Sequence, residues 1–140
     1  MSKMKITLPD LASALNALDT EGELSFQAEV IEGEVPTLQV TVSDREEFPI
    51  YITIDDSQIL AVSYLWKESE IKSGAREALL EALLTLNIPM PLSAFSKLGN
   101  QYVIFGALSS QSELNDAIHE VEILSDNTLE ALESVSEFLQ

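Results

Sequence analysis

The chain has no cysteine. Disulfide frameworks, thiolate metal sites and cysteine nucleophiles are therefore excluded. It has one histidine, His119, and one tryptophan, Trp66. A serine–histidine couple would have to run through His119, and a zinc site built on nitrogen and sulfur lacks its ligands. The glycines at 22, 33, 74, 99 and 106 are scattered, so no glycine-rich phosphate cradle can be drawn. No apolar run approaches the roughly 18 residues of a membrane-spanning helix. The opening MSKMKI carries two lysines with no apolar stretch behind them, which argues against a secretory signal. A cytoplasmic protein is the expectation. Basic residues are scarce: 7 Lys and Arg stand against 24 Asp and Glu, for a net charge of −17. Lys97 is the last of them, and the 43 residues after it hold eight acids. Such a surface repels nucleic-acid phosphates and anionic lipid, so neither nucleic-acid binding nor direct membrane insertion is expected. It favours solubility, or a basic or amphipathic protein partner.

What is present suffices for one core. With 46% hydrophobic residues in 140, a single domain over 1–140 is predicted. The most apolar helical pattern is Ile71–Leu86, where Ile71, Ala75, Ala78, Leu79, Ala82, Leu83 and Leu86 share one broad face. It predicts the central packing helix, with Gly74 inside it. Upstream, Leu8–Leu18 predicts a first helix capped by Thr7, with Pro9 in its first turn and its end at Asp19–Gly22. Four strand-like runs follow: Leu24–Ile31, Thr37–Val42, Ile50–Ile54 and Ile59–Trp66. The last is apolar on both faces and so central, and short connections predict an antiparallel meander. Pro89 and Pro91 stop the central helix, Leu92–Leu98 reads as short turns, Gly99-Asn100 as a turn, and Gln101–Leu108 as a fifth strand.

The final segment opens with Ser112 as predicted N-cap. Leu114, Ile118, Val121, Ser125, Thr128, Leu132, Val135 and Leu139 then keep a strict four–three alternation. Phase survives the polar Ser125–Thr128 patch, which favours one long helix of about 27 residues and about 40 Å over two helices broken at Asp126-Asn127. Its seam serves either this protein's own core or a second chain. The fold class is α+β: an antiparallel sheet of about five strands with helices packed on it, in the order α-β-β-β-β-α-β-α, closing on a long acidic helix.

The sequence contains no reactive constellation that can be drawn from residue types and spacing. His119 has Asn115, Asp116 and Glu122 as helical neighbours and reads as a surface residue. Asp55-Asp56 is the best oxygen cluster, but it lacks calcium-loop spacing and reads as turn chemistry. Paired carboxylates single out nothing in a chain with 24 acids. Tyr51, Tyr64, Trp66 and Tyr102 lie on strands without interleaved basic residues, which does not make a nucleic-acid platform. Strict alternation puts Tyr64 and Trp66 on one face of the fourth strand, either in the core or on a partner-binding face. No catalytic residue, cofactor or metal is expected. The function expected is a non-catalytic acidic protein-binding module, with Tyr64 and Trp66 as anchors and Glu120, Glu130, Glu133 and Glu137 as an acidic rim. The alternatives are a homodimer formed through the C-terminal helix and a carboxylate-based enzyme.

The stretches REEFPIYITIDDSQILAVSYLW, EALLEALLTLNIPMPLSAFSKLGNQYVIFGALS and IHEVEILSDNTLEALESVSEFL resemble the YjfI-like family of small bacterial proteins, a domain of unknown function. The resemblance transfers no activity and no catalytic residue. It implies a role beside a phage-shock-protein-A-like membrane-remodelling protein in an envelope-stress system. The element order also resembles that of type III secretion chaperones, which implies binding of partner segments on a sheet or helix surface, and dimerisation.

Overall fold

The computed structural model describes residues 6–18 and 24–140; the MSKMK opening and the expected helix end at Asp19–Gly22 lie outside them. Helix α1 (Leu8–Ala17) begins as the sequence predicts. Thr7 Oγ1 accepts the Asp10 N–H at 3.2 Å, Pro9 sits in the first turn, and Leu8, Leu11 and Leu15 are buried. Strands β1 (Phe26–Ile31), β2 (Thr37–Val42), β3 (Ile50–Ile54) and β4 (Gln58–Lys67) form the expected meander. Helix α2 (Arg76–Asn87), strands β5 (Ala94–Leu98) and β6 (Gln101–Ser109), and helix α3 (Leu114–Val135) complete the chain. All strands pair antiparallel in one six-stranded sheet, in the order β1-β2-β3-β4-β6-β5.

Strand β5 is an element the sequence reading misses, because Leu92–Leu98 was expected as turns. Its Ala94, Phe95, Ser96 and Lys97 show no apolar alternation, since an edge strand buries little. The two-residue Gly99-Asn100 turn, with Gly99 at φ +62°, folds it onto β6.

One face of the sheet is covered. Phe26, Leu38, Val40, Ile50, Ile52, Ile59, Ala61 and Ile104 point inward, and α1 and α3 close over them. Helix α2 covers the β5 end of the same face, where Leu79 and Leu83 join Trp66, Tyr102 and Val135. The central packing helix is thus α3, not the Ile71–Leu86 segment. The earlier part of that segment is not helical. Gly74 takes φ +81°, which a helix cannot accommodate, and Ile71 instead bridges to Leu139.

Helix α3 is one continuous helix of 22 residues, N-capped at Glu113 rather than Ser112, with the Asp116 carboxylate accepting the Glu113 N–H at 3.0 Å. Its seam is spent internally: Val121, Ser125, Thr128 and Val135 are all buried. A second chain therefore does not find that seam exposed. Each fully buried Leu or Val here contributes about 1.5–3 kcal/mol over an exposed one.

Candidate protein-binding face

The strand register fixes which residues occupy the other face of the sheet. Tyr51 lies opposite Val62, and Val62 opposite Phe105. Thr53 lies opposite Leu60 and Leu60 opposite Ala107, while Tyr64 faces Val103. Strand alternation puts all of these away from the helices. Tyr51 and Tyr64 meet with ring centroids 5.4 Å apart. A shallow depression of about 370 Å³ is lined by Tyr51, Leu60, Val62 and Tyr64, with Ile31 and Leu98 reaching it from the two edge strands. Only Glu29, on β1, and Lys67, at the end of β4, bring charge to this face within the strands. The acids gather instead in flanking loops and turns, where Glu32, Glu34, Glu46, Glu47, Asp55 and Asp56 are exposed.

Tyr64 and Trp66 part company. A register irregularity between Tyr64 and Lys67 inserts one extra residue on β4. Side-chain alternation therefore flips. Tyr64 stays on the open face, 47% exposed, while Trp66 turns inward. Trp66 stacks on Tyr102 at 5.7 Å, and so is a core residue rather than an anchor. The Tyr102 hydroxyl donates to Glu68 Oε1 at 3.1 Å, and Lys97 Nζ (2.8 Å) and Arg76 Nε (3.1 Å) reach the same oxygen. Lys97 first, then Arg76, hold the Glu68 carboxyl down at about 2. Burial, then the neighbouring Glu68, push the Tyr102 hydroxyl up. This cluster ties β5, α2 and the turn after β4 together.

The expected acidic rim does not form. Glu130, Glu133 and Glu137 are exposed, but they lie on the helical layer, across the sheet from Tyr64. Glu120 is 3% exposed and packs under Gly106. The strict seam hid it. A second stripe, Ala117, Glu120, Leu124, Asn127 and Ala131, runs beside the first at the same spacing and is buried too, because α3 crosses the middle of the sheet. The small Ala117 and Ala131 were the available signal. Phe105, Leu60 and Val62 were legible as strand residues, but the missing cover over them was not.

Asp55 makes a turn, as its sequence suggests. Its Oδ1 accepts from Ser57 Oγ and from the N–H groups of Ser57 and Gln58, and those bonds, Ser57 Oγ first, lower its pKa. His119 is exposed. Among the described residues, no group of three or more His, Cys, Asp or Glu is placed to hold a metal, and no helix is long and apolar enough to cross a membrane.

Among the solved structures that share this fold are two of similar size to this chain. YbjN from E. coli, described as a proposed transcription regulator, is 17% identical, with a TM-score of 0.63 over 99% of both chains. The Yersinia pestis type III secretion chaperone SycH, solved with a stable fragment of YscM2, is 14% identical, with a TM-score of 0.56 over 89% of this chain and 99% of that one. No curated protein matches the chain. A family model matches residues 5–139, and the chain accordingly belongs to the family described as an uncharacterized protein conserved in bacteria, DUF2170.

Proposed function

We propose that this protein is a non-catalytic, acidic protein-binding module of chaperone or adaptor type, working through the uncovered sheet face with Tyr64 as an anchor. A contrast in charge carries the reading. The centre of that face is apolar and neutral in a chain of net charge −17. Aromatic and aliphatic side chains in a shallow, unfilled depression are the composition that interface cores use. SycH, a similar fold, is solved with a bound protein fragment, which supports binding as work this architecture can do. The YjfI-like resemblance adds a setting: the cytoplasmic side of an envelope-stress system, beside a phage-shock-protein-A-like protein.

A pull-down with the full-length protein tests it. Partners retained at low salt should be released at high salt, and Val62→Glu should lose them while Glu133→Gln keeps them. Retention that ignores both salt and Val62→Glu overturns the reading.

Self-association is the second reading, and one observation favours it at a new place. Leu84 on the outside of α2 and Ile88 just past its end, 72% and 89% exposed, form an apolar stripe with Leu92 beyond them. Light scattering on wild type and Ile88→Glu tests it, and a monomer in both cases removes it.

A further inference from the structure

Both edges of the sheet are stopped by asparagine side chains. On β1, Asn16 Nδ2 donates to the Ala28 carbonyl at 2.9 Å, and Asn16 Oδ1 accepts the Ala28 N–H at 2.8 Å. One side chain from α1 thus takes up both outward backbone groups at the middle of the edge strand. On β5, Asn87 Oδ1, from the end of α2, accepts the Phe95 N–H at 2.8 Å. The outward residues of an antiparallel edge alternate, so on this five-residue strand only Lys97 follows Phe95 toward the edge. A partner strand adding to β1 would have to displace two hydrogen bonds at its centre, and one adding to β5 would have to displace the bond at Phe95. Strand addition depends on a run of free backbone groups, and neither edge supplies one.

The open face offers the opposite conditions. Its apolar residues run along β4, at Leu60, Val62 and Tyr64, and extend across the neighbouring strands to Tyr51 on β3, Ile31 on β1 and Leu98 on β5. Six strands span about 24 Å, which matches a helix of about 16 residues. The helical layer already shows that this sheet accepts a crossing helix on its other face.

Charge decides which helix. The cations Arg45, Arg76 and Lys97 are engaged by Asp126 and Glu68 on the helix-covered side, and Lys67, at the end of β4, is the cation that the strands bring to the open face. Around the open face the exposed loop residues Glu32, Glu34, Glu46, Glu47, Asp55 and Asp56 are acidic. A second copy of this chain, also at −17, would bring like charge onto like charge. We infer that the open face receives an amphipathic helix of a partner protein, with its apolar stripe laid across β3, β4 and β6 and lysines or arginines bordering that stripe. The inference rests on the protein-binding reading and adds the partner's chemistry and mode of docking.

The test uses the full-length, isotope-labelled protein and three synthetic peptides of one composition, leucine and lysine only. The first places leucines at helical spacing, the second alternates them as in a strand, and the third scatters them. Folding of each variant is checked by its amide spectrum. The helical peptide should shift the amides of Tyr51, Val62, Tyr64 and Phe105 and bind at least about tenfold more tightly than the other two. Val62→Glu, or Tyr64→Ala if the first variant fails to fold, should weaken it by a similar factor. Preference for the alternating peptide, with shifts centred on Ala28 or Lys97, overturns helix docking and leaves the protein-binding reading standing. So does helical-peptide binding centred on α3. Equal binding of all three peptides, or none, overturns both. A dimer in sedimentation that strengthens with salt and dissolves in Val62→Glu puts a second copy on the face and overturns the assigned partner.

Discussion

The Glu120 carboxyl group, on α3, fills the space that a Cβ at Gly106, on β6, would occupy. The Leu92 carbonyl oxygen closes the same space from another side, 3.1 Å from that Cβ position. Gly106 is therefore small for a packing reason, and its backbone has no left-handed conformation to explain it. Gly106→Ala is expected to destabilise by about 1–3 kcal/mol, the scale of overpacking a filled site. Denaturant melts of a double-mutant cycle check the cause. The cost should shrink on a Glu120→Ala background, because the two changes share one space. Strictly additive effects would refute the steric explanation.

Glu120 Oε1 is buried and finds no hydrogen-bond partner among the described residues. Burial raises its pKa, with His119 beside it a smaller opposing influence. The sign follows from linkage. A carboxyl whose folded pKa lies above its unfolded value binds more protons when folded, so stability falls as pH rises through that interval. Glu120→Gln removes the charge that burial penalises and should therefore be more stable than wild type at neutral pH. The gain should fade below the unfolded carboxyl range. Thermal melts from pH 4 to 8 measure it, and a constant difference across that range would contradict it.

The meander, α1 with its Thr7 cap and the continuous α3 were legible because their periodicities were long and their caps local. Four features were not. Phe95 gave no strand signal, since it packs on the core almost alone: Ser96, Lys97 and Leu98 are exposed, and β5 gains its place from pairing with β6. Ile71 and Ala75 kept helical phase by coincidence, and Gly74 broke the helix before Arg76. The bulge after Tyr64 depends on pairing with Val103 and Gln101, so no reading of β4 alone could have sent Trp66 inward. The open face has the same origin: Val62 looks identical whether or not a helix covers it.

Glu68 carries the opposite pH dependence. Lys97 and Arg76 hold its carboxyl at about 2, against an ordinary value of 4.5. Its contribution is fully present above 4.5 and is lost as pH falls toward 2. Glu68→Gln should flatten the acid limb of the stability curve within that interval, and Lys97→Met should do so in part. An acid limb unchanged in Glu68→Gln would show that other carboxylates set it. The group is solvent-accessible, so high salt should shrink the effect.

Asn16 holds Ala28 through two hydrogen bonds that otherwise belong to strand pairing. Removing it has two separable consequences. The first is a loss of about 1–2 kcal/mol, since each net hydrogen bond contributes about 0.5–1.5 kcal/mol and this pair is partly open to water. The second is an exposed edge on β1, a template for another chain. Asn16→Ala should therefore speed amide exchange at Ala28 and raise the tendency to form dimers or larger species with increasing concentration. Asn16→Asp distinguishes the two effects, because a carboxylate still accepts the Ala28 N–H but cannot donate to its carbonyl, and its charge opposes a second acidic chain. That variant should lose stability yet stay monomeric. If Asn16→Ala also stays monomeric at high concentration, the side chain is a stabilising tie and not a guard of the sheet edge.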